Sequence, residues 1–260
     1  MRADPELVGR ALAEVSAVGP YFELRTDPGV EDDLTWRPLG ELSTDTDALR
    51  AKIADHGRRL GTRENRVAAS ILFQGLAARL WSPVVATVAA HGLLPVGASA
   101  HLRWRPVPTG PLPLWASRTA GWELLPDPAD RAERVYRAVV PELLEPLVAA
   151  VQGITKISAA LLWGNAASAL AGTLRTLPPA RPDLGPAAAR LVRDVLRVGL
   201  LAGTGEPAEP APGEHFFVRT SCCLYYRVPG GGMCDDCALL DPEIRRAQWA
   251  RTVRAAGGAR

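Results

Sequence analysis

Residues 221–237 read SCCLYYRVPGGGMCDDC and contain all four cysteines of the 260-residue chain. Cys222 and Cys223 are adjacent, ten residues separate them from Cys234, and two more precede Cys237. A C-x-x-C pair on a turn can place two thiolates on one metal ion, and two ligand pairs complete a tetrahedral site or hold two irons bridged by sulfide. The glycines of the VPGGG segment let the backbone reverse and approach the sulfurs. This spacing predicts a four-cysteine metal or iron–sulfur centre.

Three kinds of site use such a group of thiols. A structural zinc site takes four thiolates, although adjacent cysteines are unusual in the usual pattern of two C-x-x-C pairs. A dithiol redox site is disfavoured because the motif lacks a βαβ context. A [2Fe–2S] cluster uses all four cysteines and is the interpretation we favour. Mixed ligation through the nearby His215 is not needed, because four cysteines already complete the site.

The overall composition is that of a globular protein with balanced charge. Hydrophobic residues make up 47% and charged residues 22%, and 30 basic residues stand against 28 acidic ones, a formal net charge of +2. A length of 260 residues supports one or two domains with a sizeable core. The charge balance argues against a dedicated nucleic-acid binder, which would carry a concentrated basic patch.

The N-terminal sequence MRADPELVGRALAEVSAVGP carries acidic residues early and lacks the long apolar run of a secretory signal. We therefore expect the protein in the reducing cytoplasm, where clustered cysteines are metal ligands or redox groups more often than disulfides. The most apolar stretch, residues 157–174, is rich in Ala and Gly and interrupted by polar residues. A buried helix is favoured there over a membrane span.

Helix and strand signals divide the chain into a mainly helical part and a short C-terminal part. Ser82 as N-cap, Pro83 in the first turn and Gly92 at the end predict a separate helix within an apolar region. The segment GTGEPAEPAPGE has the composition of a linker. The predicted helices cover about residues 1–20, 44–60, 65–80, 83–91, 128–140, 141–153, 157–175, 186–201 and a last helix from 242. The predicted strands cover residues 21–26, two or three short stretches of 93–126 including 101–107, and the strand-like segment 215–228.

The pattern C-C-x10-C-x2-C, embedded in RTSCCLYYRVPGGGMCDDC, resembles that of the FhuF-like ferric-siderophore reductases. Two upstream segments, AASILFQGLAARLWSPVVA (residues 68–86) and LLWGNAASALAG (161–172), are similar to helical signatures of the same family. In that family four cysteines of this spacing hold a [2Fe–2S] cluster. The resemblance therefore implies that the cluster ligands, and the route of the electron, are Cys222, Cys223, Cys234 and Cys237.

The resemblance also implies a function, which is the one-electron reduction of ferric-siderophore complexes and the release of iron(II) for iron acquisition. The fold class we expect is α+β, predominantly helical. A helical siderophore-docking domain with a few short strands would cover residues 1–202. A linker over 203–213 would lead to a small C-terminal iron–sulfur module over 214–260.

Two groups of residues are candidates for contact with the chelate. Arg219 and Arg227 flank the cysteines, where their charge would partly offset that of a cluster and raise its reduction potential. Polar residues within the two apolar helices, Gln74 among them, would either line a siderophore cleft or be buried with their hydrogen bonds made inside the protein. Gly164 would allow a close contact between its helix and a neighbour. The predicted substrate-binding residues are Arg79, Trp163, Asn165, Arg219 and Arg227.

Motifs that the sequence lacks restrict the partners. No G-x-G-x-x-G lies between a predicted strand and a helix, so no nicotinamide or flavin site is expected. The predicted partners are a ferric siderophore and an external electron donor, either a ferredoxin or a flavin-dependent reductase, with no nucleic acid and no transmembrane segment. Peripheral membrane association and the oligomeric state are left open. The alternatives are a zinc-stapled four-cysteine binding protein without redox activity and an iron–sulfur electron carrier or sensor.

Overall fold

The computed structural model describes residues 1–108 and 110–257. Helix makes up 58% of the chain and the strands are short, which confirms the predicted α+β, predominantly helical class. The helices are α1 Pro5–Ser16, α2 Glu41–Thr44, α3 Thr46–Leu60, α4 Asn65–His91, α5 Ala98–His101, α6 Arg131–Val139, α7 Glu145–Ile154, α8 Ala159–Gly172, α9 Leu177–Ala180, α10 Gly185–Val195 and α11 Pro242–Gly257. The strands are β1 Arg37–Pro38, β2 Leu93–Pro95, β3 Leu102–Trp104, β4 Leu114–Ala116, β5 Trp122–Leu124, β6 Gly205–Ala211 and β7 Glu214–Arg219.

The centre of the fold is α4, a single helix of 27 residues with most of its side chains buried. It packs against α1, α3, α8 and α10 around one hydrophobic core. The predicted break at Ser82 and Pro83 is wrong, because the helix continues through Pro83 and the Ser82 hydroxyl donates back to the Ala78 carbonyl at 2.7 Å. Packing against four helices outweighs the one backbone hydrogen bond that the proline removes. The helix ends at Gly92, which has a φ of 65°, as predicted.

Among the described residues, α4 is also the one helix long and apolar enough to cross a membrane. In the fold, 78% of its apolar 18-residue window is buried, as is usual for a core helix. The apolar stretch singled out in the sequence, residues 157–174, forms the buried helix α8 and confirms that prediction. The cytoplasmic location stays a prediction.

The segment predicted as a strand over residues 21–26 is not one. Only Arg25 makes a β-bridge there. The carbonyls of Tyr21 and Glu23 instead accept hydrogen bonds from the guanidinium of Arg79 on α4. A buried side chain thus satisfies this backbone, where the alternating sequence had suggested a neighbouring strand.

The other helix predictions are confirmed within a few residues as α1, α3, α6, α7, α8 and α11, whereas α10 ends at Val195, before the predicted end at residue 201. The two helices predicted on either side of Pro141 are joined by a π turn over residues 140–144. Strands β2 to β5 account for the short strands predicted between residues 93 and 126. They form two small antiparallel sheets, β1-β3-β4 and β2-β5.

The prediction of a linker over residues 203–213 is wrong in its central part. Strand β6 occupies it and pairs antiparallel with β7. Pro207 and Pro210 are tolerated because β6 has a single neighbour, and an edge strand needs no partner for a missing N–H. The segment therefore belongs with the cysteines. The division into a domain over 1–202 and a module over 214–260 stays a prediction.

Helix α11 closes the C-terminal segment over β7. Trp249 stacks on Phe216 with ring centroids 4.8 Å apart, and its indole N–H donates to the Asp235 carbonyl at 3.1 Å. Strand β7 in turn contacts α8. The cysteine segment is thereby held between α11 and the core helices.

Candidate metal centre

Two turns present the four thiols. The first follows β7 and carries Cys222 and Cys223, and the second is closed by a hydrogen bond from the Cys237 N–H to the Cys234 carbonyl at 3.1 Å. Leu224 has a φ of 67°, a left-handed conformation that is unfavourable for a leucine. Strain of this kind is kept where a site requires it. Here it directs the Leu224 N–H to the Cys222 sulfur at 3.3 Å.

The sulfurs of Cys223 and Cys234 lie 3.6 Å apart. Two ligands on a tetrahedral metal with bonds of about 2.3 Å are separated by about 3.75 Å, so this pair already has the spacing of two thiolates on one metal ion. The contact lowers the pKa of Cys223 to about 6, because the Cys234 thiol donates a hydrogen bond to the Cys223 thiolate. The same bond raises the pKa of Cys234. The residues present therefore fit a thiolate-bound metal.

Cys237 also receives a backbone hydrogen bond, from the Leu239 N–H at 3.4 Å. Such N–H donors to sulfur help to set the potential of iron–sulfur clusters. Within the part of the chain that the structure describes, no three or more His, Cys, Asp or Glu side chains converge as they would on a single ion. A dinuclear cluster needs two thiolates at each iron, and the Cys223–Cys234 pair has the spacing for one of them.

A hydrogen-bond network lies beneath the first cysteine turn. The buried Arg219 side chain donates to the Asn165 Oδ1 on α8. The Asn165 amide donates to the Ser70 carbonyl and hydroxyl oxygens on α4, both at 2.9 Å. The Ser70 hydroxyl donates to the Cys223 carbonyl at 2.7 Å. The two core helices thus hold the backbone of one predicted ligand.

Arg219 has more donors than this network uses. Its side chain is 2% exposed, and its Nε and Nη1 groups have no hydrogen-bond partner among the described residues. A buried cation with unpaired N–H groups is costly unless a negative charge lies close to it. Four thiolates around two irons and two sulfides carry a net negative charge. Arg219 therefore fits a [2Fe–2S] cluster, which the charge would stabilise.

A cleft of about 630 Å³ opens beside the cysteines. Its walls come from α4, α8, the segment after α1 and both cysteine turns, and Cys223 and Cys234 line one side. The polar lining residues are Gln74, Ser82, Ser168, Thr173, Thr176, Arg175, Asp236, His56, Tyr21 and Tyr225. A pocket of this size and mixed polarity is large enough to enclose a small-molecule chelate.

The deepest charged group in this lining is Asp236. Burial raises its pKa, and a hydrogen bond from the Ser168 hydroxyl at 2.5 Å opposes that shift. Its neighbour Asp235 pairs with Arg175 at 2.5 Å. The cleft therefore has its one arginine already paired, and it presents mainly neutral polar and apolar groups to an occupant.

None of the five predicted substrate-binding residues lines this cleft, and their contact with a chelate stays a prediction. Arg79 is buried, and its guanidinium donates hydrogen bonds to three backbone carbonyls. Burial lowers the pKa of Arg79 to about 10. Trp163 and Asn165 are buried in α8, and Arg219 bonds to Asn165. Arg227 pairs with Glu64 at 3.0 Å. Each side chain is occupied by the fold itself.

The cleft residues that the sequence did not single out include Ser168, Arg175, Asp236 and Tyr225. A signal for some of them is present, since small and polar residues recur at helical spacing on both apolar helices. On α4 these are Gln74, Gly75, Ala78 and Ser82, and on α8 they are Ser168, Ala169 and Gly172. Of the side chains considered from sequence, Gln74 does line the cleft.

Gly164 brings α8 into close contact with the cysteine segment. A Cβ there would overlap the Ser221 hydroxyl and lie 3.4 Å from Arg219 Nη2. We expect Gly164→Val to lower the free energy of unfolding by about 1–3 kcal/mol through overpacking, and to lower the iron content. Gly153→Val on α7 is the control, because nothing lies within 4 Å of its Cβ. Thermal unfolding and iron analysis measure both, and equal losses in the two variants would contradict the close contact.

Comparison with known proteins agrees with an iron–sulfur centre at the four cysteines. Residues 219–239 match the family model described as the FhuF 2Fe-2S C-terminal domain. No curated protein matches the chain. The matched residues do not reach 68–86 or 161–172, so the similarity of those helices to the family stays a prediction. The match covers all four cysteines and Arg219, so this segment is similar to the C-terminal 2Fe-2S domain of the FhuF-like family, and its cofactor is a [2Fe–2S] cluster.

Proposed function

We propose that this protein reduces ferric-siderophore complexes by one electron and releases iron(II) for iron acquisition in the cytoplasm. The observation that carries the proposal is the cleft of about 630 Å³ with Cys223 and Cys234 in its wall. A chelate in this cleft would lie against two ligands of the redox centre, so the electron would have only a short distance to cross.

The chemistry of iron explains why one electron is enough. Iron(III) is a hard ion that oxygen-rich chelators hold tightly, whereas the same ligands hold iron(II) weakly. When bound, the [2Fe–2S] cluster supplies electrons singly, which matches the reduction of iron(III) to iron(II). The siderophore is then left free of its metal, and no bond within it needs to break.

The chain itself has three tasks in this proposal. Arg219 and the network to Asn165 hold the cysteine turn on the core helices. Gln74 and Ser168 offer hydrogen bonds to the polar surface of a chelate. Phe22 and neighbouring apolar groups cover its carbon skeleton, which keeps bulk water away from the reacting metal.

Filling the cleft tests this proposal. Gly75 lies on α4 in the cleft wall and has nothing within 4 Å of its Cβ, so the Cβ of Gly75→Leu fits and the rest of the side chain takes up cleft volume. We expect the rate of ferric-siderophore reduction by the pre-reduced protein to fall about 10- to 100-fold, because the chelate is held away from the cysteines. Reduction of ferricyanide, a small acceptor, should change little.

Gly153→Leu on α7 is the matched control, since its Cβ also meets nothing within 4 Å and it lies outside the cleft. Stopped-flow absorption of the cluster follows both variants under anaerobic conditions. If Gly75→Leu oxidised at the wild-type rate with a ferric siderophore, the cleft would not be the docking site. If neither wild type nor control reacted with any ferric siderophore, the proposed function itself would fail.

A further inference from the structure

Cys237 is not among the residues that line the cleft, and its sulfur contacts the exposed Met233 side chain. Its sulfur is 3.5 Å from the Met233 sulfur and accepts a hydrogen bond from the Leu239 N–H. Its carbonyl accepts from Arg245, which directly follows the exposed Ile244 in the first turn of α11. Met233, Leu239 and Ile244, which we call the Cys237 rim, are 44–56% exposed.

The position of the Cys237 rim suggests a contact surface, because exposed apolar side chains are concentrated in this part of the chain. Half of the large hydrophobic side chains that are exposed in the described residues lie between 226 and 244. The first of them, Tyr226, lies beside the cleft residue Tyr225, and the other three form the Cys237 rim. Contiguous exposed apolar groups are typical of a surface that contacts a partner.

Beyond Glu243 in its first turn, helix α11 adds positive charge to this surface. Between residues 244 and 255 it contains four arginines and no acidic residue, in a chain whose charges are otherwise balanced. Arg245 is used internally, in hydrogen bonds to the Cys237 and Leu240 carbonyls. Arg246, Arg251 and Arg254 are exposed. They form a basic face that begins next to the Cys237 rim.

We propose that the Cys237 rim and the basic face of α11 form the docking surface for an acidic protein that donates one electron. This inference rests on the proposed function and adds the partner to it. A small apolar centre beside exposed charges is the usual anatomy of a transient redox interface, and opposite charges raise the encounter rate. The reduced donor loses one electron and the cluster gains it, with no other co-reactant.

The two sides of the site then have separate tasks. The donor contacts the protein at Cys237, whereas the cleft borders Cys223 and Cys234. Both partners can therefore be bound at once, and the electron enters and leaves through different ligands. A basic helix with apolar neighbours is also compatible with an anionic membrane. The contact of Met233 with the predicted cluster ligand Cys237 favours a redox protein over a lipid surface.

Charge reversal on α11 tests the donor surface without any siderophore present. The probe is a reduced, acidic [2Fe–2S] ferredoxin, mixed anaerobically with the oxidised holoprotein. The measured quantities are the Kd of the complex between the two proteins and the rate of electron transfer from the ferredoxin. For the double variant Arg246→Glu, Arg251→Glu we expect the second-order rate constant at low ionic strength to fall about 10- to 100-fold, with a weaker dependence on salt. Iron content, visible spectrum and reduction by dithionite should be unchanged.

The matched control is Arg190→Glu, Arg193→Glu on α10, which makes the same change of charge at exposed positions of another helix. Equal slowing in the control, or an unchanged rate in the α11 variant, would overturn the donor surface. So would loss of binding to phosphatidylglycerol vesicles with an unchanged rate of electron transfer. Mixing the pre-reduced protein with a ferric siderophore is a separate half-reaction, so its failure would count against the proposed function alone.

Discussion

Cys234→Ser should remove the [2Fe–2S] cluster and abolish ferric-siderophore reduction, while the helical core stays folded. The sulfur of Cys234 forms the observed close pair with that of Cys223, so its loss takes one thiolate from an iron site. The core residues that surround α4 do not include the cysteines. We therefore expect a colourless protein with less than about one-tenth of the wild-type iron and sulfide, and a nearly unchanged far-UV circular dichroism spectrum.

Met233→Leu is the control for this variant. Met233 contacts the Cys237 sulfur but is not a predicted ligand, and leucine has nearly the same volume. It should keep iron, sulfide and colour. A Cys234→Ser protein that still reduced a ferric siderophore at the wild-type rate would show that the electron takes another route. The same comparison with Cys237→Ser tests the other predicted ligand of the second turn.

Arg219→Met should lower the reduction potential of the cluster. Reduction adds a negative charge to a centre that is already negative, and the buried guanidinium favours that added charge. At an effective dielectric constant of about 20 and a separation of about 8 Å, one unit charge contributes about 2 kcal/mol, or roughly 90 mV for one electron. We expect a fall of this order in a spectroscopic redox titration.

Two further variants separate charge from geometry. Arg219→Lys keeps the positive charge but loses the planar group that bonds to Asn165, so its potential should stay closer to wild type while its thermal stability falls. Arg227→Met removes a charge that is already paired with Glu64, so its effect on the potential should be smaller. A potential that is the same in Arg219→Met and in wild type would contradict a role for this charge.

The cysteine spacing identified the metal centre from sequence because the four ligands lie within 16 residues, 222–237, where local turns alone can bring them together. Helical periodicity likewise predicted most helices. The cleft was different, since its residues come from α4, α8 and segments far apart in sequence. Gln74 and Ser168 face one another across two helices, and only their packing places them 3.3 Å apart.

The wrong predictions have the same cause, which is tertiary packing that overrides a local signal. Ser82 and Pro83 have the residue types of a helix start, but the surrounding helices keep α4 continuous. Pro207 and Pro210 suggested a linker, yet β7 offers an edge on which they are tolerated.

The unpaired N–H groups of Arg219 also bear on how the protein matures. In the apoprotein they would stay buried without an acceptor, a penalty of about 1–3 kcal/mol for each group. The cluster removes this penalty only when β7 and the cysteine turns are seated on α8, so metal insertion and closure of the C-terminal segment are thermodynamically linked. Opening of this end therefore costs less free energy before the cluster is bound than after, which would favour access of the assembly machinery to the cysteines in newly synthesised chains.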